Sequence, residues 1–227
     1  MPKDEGKGLL EKAKDDIIDG YSKIKRSLSE GSSAFLNNTY ILLKYTLLTI
    51  VLSVSYVFIQ GIPYISYAYL LPATVLILHF HYEFLIIPVK DLKRFSFNTL
   101  SLTFLLLISY VTITFNPQSH SQDQFPTVHL ISTFISLFSF ALFLFQPVYM
   151  VKAGATPLKA LKNAFGFISN NALKTMTYII ILFFALSILS SIPSLTPLSF
   201  LSPVVFIYLS YGVFIFIHSF WEVCRKK

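Results

Sequence analysis

Residues 172–221 read ALKTMTYIIILFFALSILSSIPSLTPLSFLSPVVFIYLSYGVFIFIHSFW, with Lys174 as the only formal charge. Two apolar runs, about Ala172 to Ile192 and about Leu198 to Trp221, flank Pro193-Ser-Leu-Thr-Pro197. A hydrocarbon core of roughly 30 Å takes about 20 residues of helix, so each run is long enough to cross it. Pro193, Pro197 and Pro203 each remove an amide donor and disfavour continuing helix, so the block reads as a hairpin of two spanning helices.

The same reading upstream gives four more spans, at about 38–60, 64–87, 98–115 and 125–148. The expected fold is all-α: a polytopic membrane protein of six transmembrane helices in three hairpins, preceded by an amphipathic N-terminal helix. The expected division is a cytoplasmic amphipathic helix at 1–37, a six-helix domain at 38–221 and a basic cytoplasmic tail at 222–227.

Composition supports lipid as the main solvent. The chain has 227 residues, 54% of them apolar and 13% charged, with a mean hydropathy of +0.65. About a quarter of a soluble domain is charged, and a chain of this size cannot hide so much apolar surface in one core. A secreted enzyme, a disulfide-stapled module and a disordered tail are excluded.

The cations test the topology independently. All 18 Lys and Arg lie before the first span, in or beside its start, between spans two and three, between four and five or in the first turn of five, or after six; loops 61–63, 116–124 and 193–197 hold none. The positive-inside rule then places both termini in the cytoplasm and the three short loops outside, as a multi-pass protein of the cell membrane. The net charge of +7 is thus mainly a topology signal. The first 38 residues are hydrophilic, so the first span is expected to act as its own targeting signal. Cys224 is the only cysteine and reads as an inert thiol near the inner surface, acylation being the alternative.

Leu9, Leu10, Ala13, Ile17, Tyr21, Ile24 and Leu28 recur at helical spacing and give the N-terminal segment one apolar stripe. Such a helix can lie in the headgroup layer, pack under the bundle or dock a partner. A second amphipathic helix is expected after span four, with Thr156 as N-cap and Pro157 at its first position. There Leu158, Leu161, Phe165 and Ile168 share one face, and Lys159, Lys162 and Asn163 the other. A shorter segment, 90–98, leads into span three. Each inward-to-outward span thus follows a basic segment and an Asn: Asn37 and Asn38, Asn98, Asn170 and Asn171. Superposing the first and third Asn pairs also brings Tyr45 onto Tyr178.

The stretch from Phe145 to Asn170, with Pro147, Gly154, Thr156 and Pro157 followed by an amphipathic helix and an apolar span, resembles the six-helix membrane proteins similar to the membrane domain of glycerophosphodiester phosphodiesterases. Over the rest of the chain the resemblance is architectural. It implies an integral membrane protein associated with transport or envelope upkeep and transfers no catalytic residue. The catalytic barrel of those enzymes is absent from this chain, so phosphodiesterase activity is not implied.

Lys44, His79, His81, Glu83, His218 and Glu222 gather in one inner layer. At the bilayer centre each costs about 2.5–3.5 kcal/mol to insert, so each asks for a partner. Helices one and two are joined by a very short loop, so Lys44 and Glu83 are expected to meet, and His218 and Glu222 lie four apart near the inner end of span six. His79 and Glu83 share a helix face and can place two ligands on a metal, completed by His218 or Glu222. The plainer reading is a snorkelling lysine, interfacial histidines and an ion pair. Ser132, Ser136 and Ser139 form a stripe on span four that suits helix packing.

There is no Gly-rich phosphate loop, no Cys/His cluster, no GxSxG and no basic aromatic patch for nucleic acid. No cofactor is expected. The expected function is non-enzymatic: a component of a transport or translocation system, or a small permease. The alternative is a scaffold that holds a cytoplasmic partner through its N-terminal helix. The partners to consider are the lipid bilayer, a cytoplasmic or membrane protein, and further copies of the chain.

Overall fold

The computed structural model describes residues 3–57, 69–114, 126–192 and 201–226. Every regular element among them is helical: α1 (Lys3–Asn37), α2 (Thr39–Val57), α3 (Leu70–Phe84), α4 (Leu92–Thr114), α5 (Pro126–Val151), α6 (Pro157–Asn170), α7 (Ala172–Ser191) and α8 (Ser202–Arg225). The all-α class therefore holds. Among the described residues, α7 and α8 are each long and apolar enough to cross a membrane. A third crossing is available if Lys14–Asn37 and Thr39–Ser55, bent by 74°, form one broken span. The expected outer loops at 61–63, 116–124 and 193–197 lie outside the described residues.

Boundary chemistry explains the breaks. At the α1–α2 bend the Asn38 amide Nδ2 donates to the Ala34 carbonyl at 2.8 Å, closing the end of α1 with a side chain that competes with the backbone. Asn171 repeats this between α6 and α7, donating to the Phe167 carbonyl at 3.1 Å. Helix α4 starts on Asp91, whose Oδ1 accepts the Arg94 N–H at 3.1 Å and so satisfies one orphan donor of the first turn. Helix α6 begins at Pro157 as expected, although Thr156 makes no side-chain cap bond. The turn before it places Gly154 at φ 58°, where a side chain would strain the backbone.

Helix α8 is the axis of the bundle. Phe80 and Phe84 of α3 lie against its Tyr211 and His218, and Phe143 and Tyr149 of α5 against its Phe214 and Trp221. The α3 and α5 chains thus run in the same direction as α8. Helix α4 runs against α3, pairing Thr74 with Thr103 and Tyr82 with Phe95. Helix α7 runs against α8, with Tyr178 stacked on Phe220 at 4.3 Å between centroids and its hydroxyl donating to the Phe216 carbonyl at 3.1 Å.

The N-terminal helix takes the packed option. Ile24, Leu28, Ala34 and Phe35 join the core, and α1 runs antiparallel along α8. Ser27 is fully buried and its hydroxyl turns back to the Lys23 carbonyl. Together with Gly31 it gives α1 a small-residue seam that lets the two backbones approach, a source of helix association where lipid tails offer no hydrophobic gain. Farther toward the N-terminus Ile17, Ile18 and Tyr21 are exposed, so only part of the apolar stripe is covered.

The packed face of α6 keeps Leu161 and Ile168 of the expected one but not the rest. Ala160, Ala164 and Ile168 are buried, whereas Leu158 and Phe165 face outward. Alanines let α6 lie close against the bundle, and that rotation turns the larger side chains away.

Candidate functional site in the inner polar layer

The site is built across the α2–α3 interface. Leu48, Val51 and Leu52 of α2 face Leu71, Pro72 and Val75 of α3, and the antiparallel register then brings the start of α2 to the end of α3. The two side chains expected to meet do so: Lys44 Nζ donates to both Glu83 oxygens, at 2.9 Å to Oε1 and 2.6 Å to Oε2. This two-oxygen contact partly neutralises both charges in a low-dielectric setting.

Tyr45 extends the pair into a chain. Its hydroxyl donates to Glu83 Oε2 at 2.9 Å and also contacts His79 Nδ1. A phenol has one proton and an ionised carboxylate none, so His79 donates from Nδ1 when Tyr45 donates to Glu83. Lys44, Glu83, Tyr45 and His79 therefore form one continuous hydrogen-bonded line. The Tyr45 ring is 1% exposed, packed edge-on against Phe80 and tilted against Tyr211. By contrast the Lys44 and Glu83 side chains keep 40% and 28% of their surface, and His79 is exposed, so one flank of the line opens outward. The Tyr211 hydroxyl and Thr49 Oγ1, 2.8 Å apart, tie α8 to α2 beside it.

His81 points to the other side of α3. Its Nδ1 lies 2.8 Å from His218 Nε2, and both rings are buried among Phe84 and Phe214. The outer nitrogens, His81 Nε2 and His218 Nδ1, have no partner. The pairing of His218 with Glu222 in one polar unit is replaced by two separate contacts. His218 faces His81, and Glu222 accepts from Lys152, whose ammonium lies over the Trp221 ring. His218 and Glu222 are therefore not brought to His79 and Glu83, and among the described residues no group of three His, Cys, Asp or Glu side chains is placed to hold a metal ion.

Of the serine stripe, Ser139 is buried with its hydroxyl donating to the Ile135 carbonyl at 2.7 Å; the side chains of Ser132 and Ser136 lie outside the described residues. Sequence reasoning missed Tyr45, Thr49 and Tyr211. The one available signal was the coincidence of Tyr45 with Tyr178, seven residues after the Asn that ends the preceding helix; both prove fully buried with bonded hydroxyls.

No protein-family model, no curated protein and no solved structure matches the chain.

Proposed function

We propose that this is a six-span protein of the cell membrane, both termini cytoplasmic, that acts without enzymatic chemistry as a component of a transport or translocation system or as a small permease. The observation that carries the reading is the Lys44–Glu83–Tyr45–His79 line, a titratable relay with one open flank. Ionisable residues kept inside spans at such cost mark ion or proton pathways as a rule. The alternating cation census supports the three hairpins, and the Phe145–Asn170 resemblance supports a place in transport.

The test is proton flux in proteoliposomes holding a trapped pH dye. Wild-type protein should relax an imposed pH gradient faster than empty vesicles, and Glu83→Gln should abolish the difference. Equal rates for Glu83→Gln and wild type would remove the line from the pathway. Thiol labelling of a His120→Cys variant should occur from outside only; labelling solely from inside would sink the topology.

A scaffold reading has one observation in its favour: Ile17, Ile18 and Tyr21 are exposed on the unpacked end of α1. Removing residues 1–18, and no more, would test it without touching the Asp19–Lys174 contact or the seam on α8; unchanged co-purifying proteins would dismiss it.

A further inference from the structure

Helix α4 carries a second polar strip. Arg94, Asn98 and Ser101 lie at i, i+4 and i+7, so they share one side of the helix. At the deep end, Gln146 of α5 donates from Nε2 to Ser101 Oγ at 2.8 Å and to the carbonyl of Pro157, the first residue of α6, at 3.2 Å. This fixes the strip against the α5–α6 junction. At the shallow end the Gly154 turn lies over Arg94: a Cβ built on Gly154 would lie 3.5 Å from Arg94 Nη2.

Between these ends the donors have nothing to bind. Arg94 Nε and Nη2 are both buried without a hydrogen-bond partner, and these two N–H groups form the side-on fork that matches two oxygens of an oxyanion. Among the described residues no carboxylate pairs with Arg94; Asp91, the nearest acid in sequence, is bonded to the backbone N–H. Asn98 is 0% exposed, and its Nδ2 and Oδ1 also lack partners. The α6 N-terminus, three residues beyond Gly154, has no side-chain cap. Exposed Lys90 and Lys93 at the start of α4, and Lys159 and Lys162 on α6, add positive charge.

We propose that the corner between the start of α4 and the Gly154 turn binds a phosphate group, with the Nε–Nη2 edge of Arg94 as the fork and Asn98 Nδ2 as a deeper donor. Helix N-termini favour the same ligand. The site shares no residue with the Lys44 line and stands whether or not that line conducts.

Two probes test it on the full-length protein in detergent: inorganic phosphate by calorimetry, and phosphatidylglycerol in mixed micelles by native mass spectrometry. The wild type should bind at least one. Binding of the lipid alone identifies a headgroup as the source, and binding of inorganic phosphate identifies a soluble one. Arg94→Gln should weaken binding at least about tenfold, the worth of a charge-assisted fork. Arg94→Lys, which keeps the charge and loses the fork, should lose most of the affinity too. Replacing both Lys90 and Lys93 with Gln should change it less than about twofold, because exposed charges contribute little. The proposal is overturned if the wild type binds neither probe, if Arg94→Lys binds fully, or if the double lysine variant loses as much as the arginine variants.

Discussion

Gly31 of α1 lies so close to Phe216 of α8 that a Cβ at position 31 would sit 2.3 Å from the ring, and the contact is reciprocated one turn on, where a Cβ at Gly212 would sit 2.4 Å from the Phe35 ring. Each helix offers a glycine to the other's phenylalanine. The rings cannot move aside independently, because Phe35 also packs against Phe216 and Tyr208.

Replacing Gly31 with Ala should therefore destabilise the bundle by about 1–3 kcal/mol, the usual cost of overpacking, despite alanine's better helix propensity. Thermal unfolding in detergent would show it. Adding Phe216→Leu should recover part of the loss. A melting point equal to wild type for Gly31→Ala would mean that α1 does not seat on α8.

The ion pair at Lys44 predicts an asymmetry. Lys44→Leu strands the short Glu83 carboxylate with Tyr45 as its sole remaining donor among the described residues, whereas Glu83→Leu leaves a long, partly exposed lysine free to swing outward. Lys44→Leu should cost about 1–3 kcal/mol, Glu83→Leu clearly less, and the double variant less than the sum of the two. A double-mutant cycle of unfolding measurements checks all three; additive effects would contradict the pair.

Asp19 gives a pH dependence. Lys174 Nζ donates to its Oδ2 at 2.6 Å, and Lys23 approaches the same oxygen at 3.0 Å. The bond from Lys174 first, and that from Lys23 second, hold the carboxyl below its ordinary 3.8. A depressed folded-state value means the stabilisation is present above the unfolded value and is lost as pH falls through the lower folded one. The melting-point gap between wild type and Asp19→Asn should therefore be constant near neutrality and close below pH 3.8. The carboxylate is 45% exposed, so the gap will be small and should shrink with salt.

Helix α3 ends in a turn that glycine would normally make. The Ile86 N–H reaches the Glu83 carbonyl at 3.0 Å and the Ile87 N–H the Tyr82 carbonyl at 2.9 Å, the paired bonds of a Schellman ending. That places Ile86 at φ 56°, a conformation costly for a β-branched residue. Because its side chain is 90% exposed, Ile86→Gly should stabilise the protein by about 1 kcal/mol. An unfolding midpoint at or below that of the wild type would argue against the strained turn.

What was legible in the sequence was whatever long apolar runs and punctuation encode. The α7–α8 pair follows from the run lengths on either side of Pro193 and Pro197, and the α6 start from Thr156 and Pro157. The meeting of Lys44 and Glu83 follows from a short connection and equal distance along antiparallel helices. Rotation about the helix axis was not legible. In a segment apolar all round, periodicity does not say which face meets which neighbour, so the His81–His218 contact and the partner of Glu222 were out of reach. On α6, hydropathy ranks Leu158 and Phe165 above Ala160 and Ala164, but close packing favours the small side chains. Tyr45 looked like one more aromatic until Glu83 and His79 were placed on either side of its hydroxyl.

The position of α8 sets an order of events during synthesis. It follows in the chain every helix that leans on it, and α1, separated from it by some 180 residues of sequence, docks on its flank. Until α8 leaves the ribosome, the Gly31 seam, the Tyr211 anchor of α2 and the α8-facing side of α5 have no counterpart. Contacts of such long sequence separation form late. The faces of the earlier helices that meet α8 therefore stay open until it docks.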